Sequence, residues 1–150
     1  MKNENSLEYI HKLMNENKIE KAMEILNRDS DKSIWAQNTR AVCLMRMNSP
    51  QSAVKTLTPI VFPGSSVAVN SEVPDKIKLN LATAMLLSGN IAGALDIIQY
   101  CKDNSQYCNK LSASIKKWKK TLPLWSRFMI MLSILPYDKP VAIEPPLGEL

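Results

Sequence analysis

The side chains with the readiest nucleophilic or metal-binding chemistry are His11, the only histidine, and the thiols Cys43, Cys101 and Cys108. A zinc site built from His11, Cys101 and Cys108 would need a fourth ligand, and the C-x-x-C spacing of such sites is absent. No acid or nucleophile stands at a telling distance from His11, which falls on an amphipathic pattern and is expected at the surface or a groove edge. Cys101 and Cys108 lie seven apart across a helix boundary, where a disulfide is conceivable. Cys43 falls on a packed face and reads as a small core residue. There is no phosphate loop, no G-x-S-x-G, and no pair of carboxylates in an apolar setting. The expectation is a protein that is not an enzyme, with no metal and no cofactor, acting by what it binds.

The elements around these residues read as helices. With 45% hydrophobic and 22% charged residues over 150 positions, the chain has the material for one soluble core. Only 4 Gly stand against abundant Leu, Ile, Met and Ala, which favours helix. The start Met1-Lys-Asn-Glu-Asn-Ser6 lacks an apolar signal region, and three cysteines without a pairing pattern suit a reducing compartment. A cytoplasmic location is therefore expected, with the cytoplasmic face of a membrane as the alternative.

A repeated spacing organises the chain. Around Ala94 stand Met85, Gly89, Ile91 and Ile98; around Ala53, at the same offsets, Leu44, Asn48, Pro50 and Leu57; around Ala22, Leu13, Asn17, Ile19 and Leu26. A small residue lets two helices approach closely, and the apolar residue four later shares its face. Gly89, Asn48 and Asn17 suit the left-handed conformation that ends a helix. The spacing predicts helix–turn–helix hairpins over about 5–28, 33–60 and 75–103, stacked because none can bury its apolar face alone.

In order, helices are expected over 6–16, 18–27, 34–47, 50–60, 74–88 and 91–102. Arg28–Ser33 reads as a turn with N-cap candidates, and Ser49-Pro50 as a cap followed by proline at the first helical position. The reference alanines are 31 and then 41 residues apart, which places a ten-residue insertion at 61–74. Pro63-Gly64 argues for a turn there, and Val67–Val69 for a brief extended run. Leu79–Leu87 is apolar nearly all round except Asn80 and Thr83, as in a helix packed on several sides.

Through Leu81-Ala82-x-x-Met85 with Ala94-x3-Ile98, and Ala41-x-x-Leu44 with Ala53-x3-Leu57, the chain resembles a short tetratricopeptide-repeat array of about three repeats between residues 5 and 103. It departs from the family pattern in its aliphatic residues at the Trp, Tyr and Phe positions and in lacking the terminal proline. The first copy has Tyr9-Ile10 in place of Leu-Gly. The resemblance implies an all-α, right-handed α-solenoid of antiparallel helix pairs whose first helices line a concave groove for a peptide or partner helix. Carried over by position, the groove would show Trp35, Asn38, Val42, Met45 and Arg46, then Lys76, Leu79, Thr83 and Leu86. Asn38, Arg46 and Lys76 together suit an acidic side chain or a terminal carboxylate. The plainer reading leaves Arg46 and Lys76 solvated and Trp35 covering an apolar edge.

The rest of the chain departs from the repeat. Residues 105–122 read as a terminal helix with Tyr107, Leu111, Ile115 and Trp118 on one side and Lys110, Lys116, Lys117, Lys119 and Lys120 on the other. Residues 123–150 form a second unit, an apolar helix and a tail. The apolar segment 124–135 carries Arg127 as its only charge. As a helix it is about 18 Å long, too short for a hydrocarbon core of about 30 Å. It is expected to pack on the core, to self-associate into a homo-oligomer, or to lie in a membrane interface, with Trp125, Phe128, Met129 and Leu132 as the contact residues. Beyond Pro136 the prolines preclude a helix, and the extended tail is expected to lie across its own groove, to be held by another chain, or to stay loose. The net charge of +5 comes mostly from 34–60 and 105–121, which hold eight Lys/Arg and no acid. The aromatics do not interleave with these basic residues as stacking platforms would, which argues against nucleic acid. The function expected is a protein–protein interaction module or adaptor.

Overall fold

Three left-handed residues close three helices in the same way: Asn17 (φ 59°), Asn48 (φ 58°) and Gly89 (φ 86°). At each turn the following amide bonds back five residues, Lys18 N–H to Leu13, Ser49 to Leu44 and Asn90 to Met85, at 2.8–2.9 Å. The left-handed residue itself bonds to Met14, Met45 or Leu86 at 3.1–3.2 Å. This double bond satisfies the carbonyls that a helix end leaves orphaned. The repeated offsets in the sequence are the record of one turn chemistry used three times.

The computed structural model describes residues 2–65, 68–102, 105–132 and 140–150. Among them the chain is all-helical, with no strand: α1 (Lys2–Asn15), α2 (Ile19–Arg28), α3 (Ile34–Arg46), α4 (Pro50–Val61), α5 (Asp75–Leu87), α6 (Ile91–Gln99), α7 (Gln106–Thr121) and α8 (Leu124–Met131). Val67 of the expected extended run, residues 133–135 of the apolar segment and residues 136–139 of the tail lie outside the described residues.

Caps set several of the helix starts. Ser33 accepts from the Ala36 amide, Asn90 from Gly93 and Ser105 from Cys108, at 3.1–3.2 Å. Ser49 occupies the N-cap of α4 with Pro50 behind it, but its side chain makes no capping bond. α1 starts at Lys2, earlier than expected. α6 ends at Gln99, short of the expected 102: the Tyr100 and Cys101 amides tighten onto Ile97 and Ile98, and the Lys102 amide turns away to Asp75 Oδ2 at 2.7 Å. That bond ties the exit of α6 to the entry of α5.

In the packing, α1 touches α2, α2 touches α3, α3 touches α4, α4 touches α5 and α5 touches α6, while α3 also meets α1 and α5. Ala22, Ala53 and Ala94 are fully buried. α5 is buried continuously from Ile77 to Leu86 and forms the centre of the core. Each fully buried Leu or Ile there contributes about 1.5–3 kcal/mol of apolar burial. Lys78, almost wholly buried, is compensated by Asp75 at 3.1 Å. In the insertion, a short 3-10 turn (Pro63–Ser65) with Gly64 at φ 62° leads to the Asn70 amide, which bonds back to Val61 at 2.8 Å.

Candidate functional site

Residues 140–150 form neither helix nor strand, bend at 145–146 and at 148, and lie against side chains of α3, α5 and α7. The Val141 amide donates to the Leu86 carbonyl at 2.9 Å, and Val141 and Ile143 are buried in the core. Further along, Lys110 Nζ donates to the Pro146 carbonyl (3.2 Å) and Arg46 Nε to Leu147 (3.0 Å). The Gly148 amide donates to the Tyr107 hydroxyl at 2.9 Å. Asn80 takes both main-chain groups of Glu149, accepting from its N–H and donating to its carbonyl, each at 2.7 Å. Asn38 Nδ2 reaches the same carbonyl at 3.4 Å and Lys76 Nζ the main-chain oxygen of Leu150 at 2.6 Å. Asn80 Nδ2 also donates to Asn38 Oδ1 at 2.8 Å, so the two amides orient each other.

Every one of these bonds to the tail ends on its main-chain atoms. An extended strand presents its N–H and C=O groups in a row, and amide side chains can pair with both kinds. The two acids of residues 140–150 are treated differently: Glu144 pairs with Lys117 at 3.8 Å on the surface, while Glu149 Oε2 is buried and makes no hydrogen bond. Arg46 and Lys76 form none of the three ion pairs found among the described residues. Arg46 spends its charge on the neutral carbonyls of Leu147 and Met14. The surroundings are accordingly positive: burial, then Lys76 and Arg46, hold the His11 imidazole below its ordinary pKa. Burial also lowers the Arg46 guanidinium from its usual range and raises the Tyr107 phenol.

Of the groove residues expected from sequence, Asn38, Arg46 and Lys76 do meet around the tail. Val42 and Met45 are buried and form the wall beneath Gly148. Three expectations need correcting. Leu79 is wholly buried in the core, where no partner can reach it. Thr83 is also buried, its hydroxyl on the Leu79 carbonyl and 2.8 Å from the Tyr107 hydroxyl. Leu86 offers only its carbonyl, which Val141 takes. Tyr107 of α7 reaches α5 at Thr83, and the tail reaches it at Leu86. Trp35 is exposed and makes no tail hydrogen bond, its carbonyl accepting from Thr39.

Asn80, Tyr107 and Lys110 also hold the tail, and sequence reasoning passed them over. For Asn80 there was a signal, a polar residue in an otherwise apolar helix. Tyr107 reads as one more apolar position of α7, and nothing local gives its hydroxyl a partner.

The remaining candidates separate. His11 Nε2 lies 3.0 Å from Thr39 Oγ1. Cys43 is buried against Met14 Sδ at 3.5 Å, and burial pushes its thiol up to about 11. All three cysteines are thiols. Among the described residues no three His, Cys, Asp or Glu side chains converge as a metal site would require.

On α8, Leu124, Trp125, Phe128 and Leu132 are exposed, by 80%, 70%, 47% and 51%, while Met129 is half-buried. Arg127 fastens α8 to the end of α7, with Nε on the Leu122 carbonyl at 2.9 Å and Nη2 on that of Lys120. No helix among the described residues is long and apolar enough to cross a membrane. No protein-family model, curated protein or solved structure matches the chain.

Proposed function

We propose that the face built by α3, α5 and α7 is a binding groove for an extended peptide, and that the protein is a non-catalytic adaptor of the tetratricopeptide-like, α-solenoid kind. One observation carries the reading: Asn38, Arg46, Lys76, Asn80 and Tyr107 converge on the main chain of one non-helical segment, which here is residues 147–150. A peptide from another protein would offer the same main-chain groups. An acidic side chain or terminal carboxylate would in addition give Arg46 a negative partner in place of the Leu147 carbonyl, and a charge-assisted bond is about twice as strong as a neutral one.

The test is fluorescence anisotropy of a labelled panel of acidic peptides with the full chain and with Arg46→Gln/Lys76→Gln. At least tenfold weaker binding by the variant, with loss of affinity as salt rises, supports the reading. Equal affinities would exclude it.

The exposed apolar stripe on α8 favours a second reading, a peripheral membrane or self-association surface. Four large apolar side chains within nine residues, beside the lysines of α7, have the amphipathic make-up of an interfacial segment.

A further inference from the structure

We infer that the groove admits only a peptide with glycine at the place Gly148 now fills, and that the chain's own tail is the resident competitor any partner must displace. This rests on the groove reading above. A Cβ built on Gly148 would stand 2.9 Å from Met45 Cε, 2.9 Å from Val42 Cγ2 and 3.0 Å from Val42 Cγ1. Real Cβ contacts are essentially never so short. The methionine end is flexible and can yield, but Val42 is β-branched, stiff at χ1 on a helix, and has no exposed surface into which to turn. Gly148 also has φ +74°, where any Cβ is strained.

Two independent constraints, space and backbone, therefore select glycine at one point. The contacts on either side hold that point in register: Tyr107 takes the Gly148 amide, and Asn80 brackets the next residue through both its N–H and its C=O. Val141 and Ile143 anchor the tail upstream by apolar burial, and the polar contacts are read through main chain, which tolerates many sequences. The recognition element is thus a glycine in a left-handed kink within an extended segment, with an adjacent residue whose main chain is free.

The tail meets these conditions, so it closes the groove to other peptides. It fits imperfectly, since docking buries Glu149 Oε2 without a donor, and a buried unpaired acceptor opposes binding. A partner that keeps the glycine and offers no such atom has the advantage. The tail is a cover that can be lifted.

The experiment uses the full chain and a fluorescein-labelled peptide of residues 140–150. Gly148→Val in the chain expels the tail from the crevice, and Val141→Asp/Ile143→Asp loosens its other end, so that one variant remains if the other fails to fold. Circular dichroism checks that helix content is kept. Apparent affinity scales with the fraction of open grooves, so both variants should bind the peptide at least tenfold more tightly than the unaltered chain. A peptide carrying Gly148→Val should not bind. Equal affinity for the three chains, or equal binding of the two peptides, overturns the inference. An acidic peptide without glycine that binds the unaltered chain, and is lost in Arg46→Gln/Lys76→Gln, overturns the glycine rule while keeping the groove. If no peptide binds any of the chains, both fall.

Discussion

Asn80 and Glu149, 69 positions apart in sequence, are joined by two hydrogen bonds of 2.7 Å, one in each direction. Asn80 is fully buried on the central helix; without the tail its Oδ1 would lose its donor and its Nδ2 would keep only Asn38 Oδ1. The tail, for its part, has no helix or strand to satisfy its own main chain. Asn80→Ala removes the partner of both Glu149 groups and the donor to Asn38 Oδ1. At about 0.5–1.5 kcal/mol per bond, the expected loss is about 2–4 kcal/mol. Urea denaturation measures it, and amide hydrogen exchange at Glu149 should accelerate in parallel. Unchanged stability and exchange would mean the tail is not held there.

The fully buried alanines at the helix contacts set a second expectation. Ala53→Leu or Ala94→Leu adds three carbons where no surface is exposed, and overpacking of this kind costs about 1–3 kcal/mol. Thermal melts of the two variants should both shift down. A melt unmoved by either would disprove close contact at these positions.

A third concerns pH. The folded-state pKa of His11 is depressed, by burial first and then by Lys76 and Arg46. A base with a lowered folded pKa binds fewer protons folded than unfolded, so stability rises with pH across the gap. The contribution is whole above the unfolded value of about 6.5 and is lost as pH falls from there through the folded value. His11→Gln should flatten that limb of a stability–pH curve. If the slope persists in the variant, another group causes it.

Thiol reactivity gives a fourth. Cys43 is wholly buried, with its thiol pushed up to about 11, so at pH 8 it carries little thiolate and little access. Brief iodoacetamide treatment of the folded chain, read by peptide mass mapping, should label the half-buried Cys101 and Cys108 well ahead of Cys43. Early labelling of Cys43 would contradict its place between α1 and α3.

The stripe on α8 gives a fifth. Trp125→Ser/Phe128→Ser should lower co-sedimentation with vesicles of anionic phospholipid by severalfold and leave the thermal midpoint nearly unchanged, because both side chains face solvent. If a self-association surface is there instead, sedimentation velocity without lipid will show the difference between the two chains. No change in either measurement removes the stripe as a contact surface.

Local chemistry was legible in the sequence to a large degree. Asn17, Asn48 and Gly89 announced left-handed closures because few other residues tolerate that backbone, and the alanines between them marked close helix contacts. Helix boundaries were read to within a few residues where a cap decided them, as at Ser33 and Asn90. They were missed where a distant partner did, as with Asp75 drawing the Lys102 amide out of α6.

What fills the space beside α3 and α5 belongs to the tertiary structure alone. The tetratricopeptide resemblance, carried over by position, implied Leu79, Thr83 and Leu86 on an open side, but a repeat pattern cannot register that Tyr107 of α7 and the tail reach the same helix. Asn38, Arg46 and Lys76 were identifiable as donors from their positions; that their acceptors are carbonyls of residues 147–150 was not, because main-chain oxygens are present at every residue and leave no mark in a sequence. The sequence by itself determined the helices and their turns, which depend on near neighbours. Only the folded chain decided the groove's occupant, because that depends on which backbone groups, far apart along the chain, lack a partner of their own.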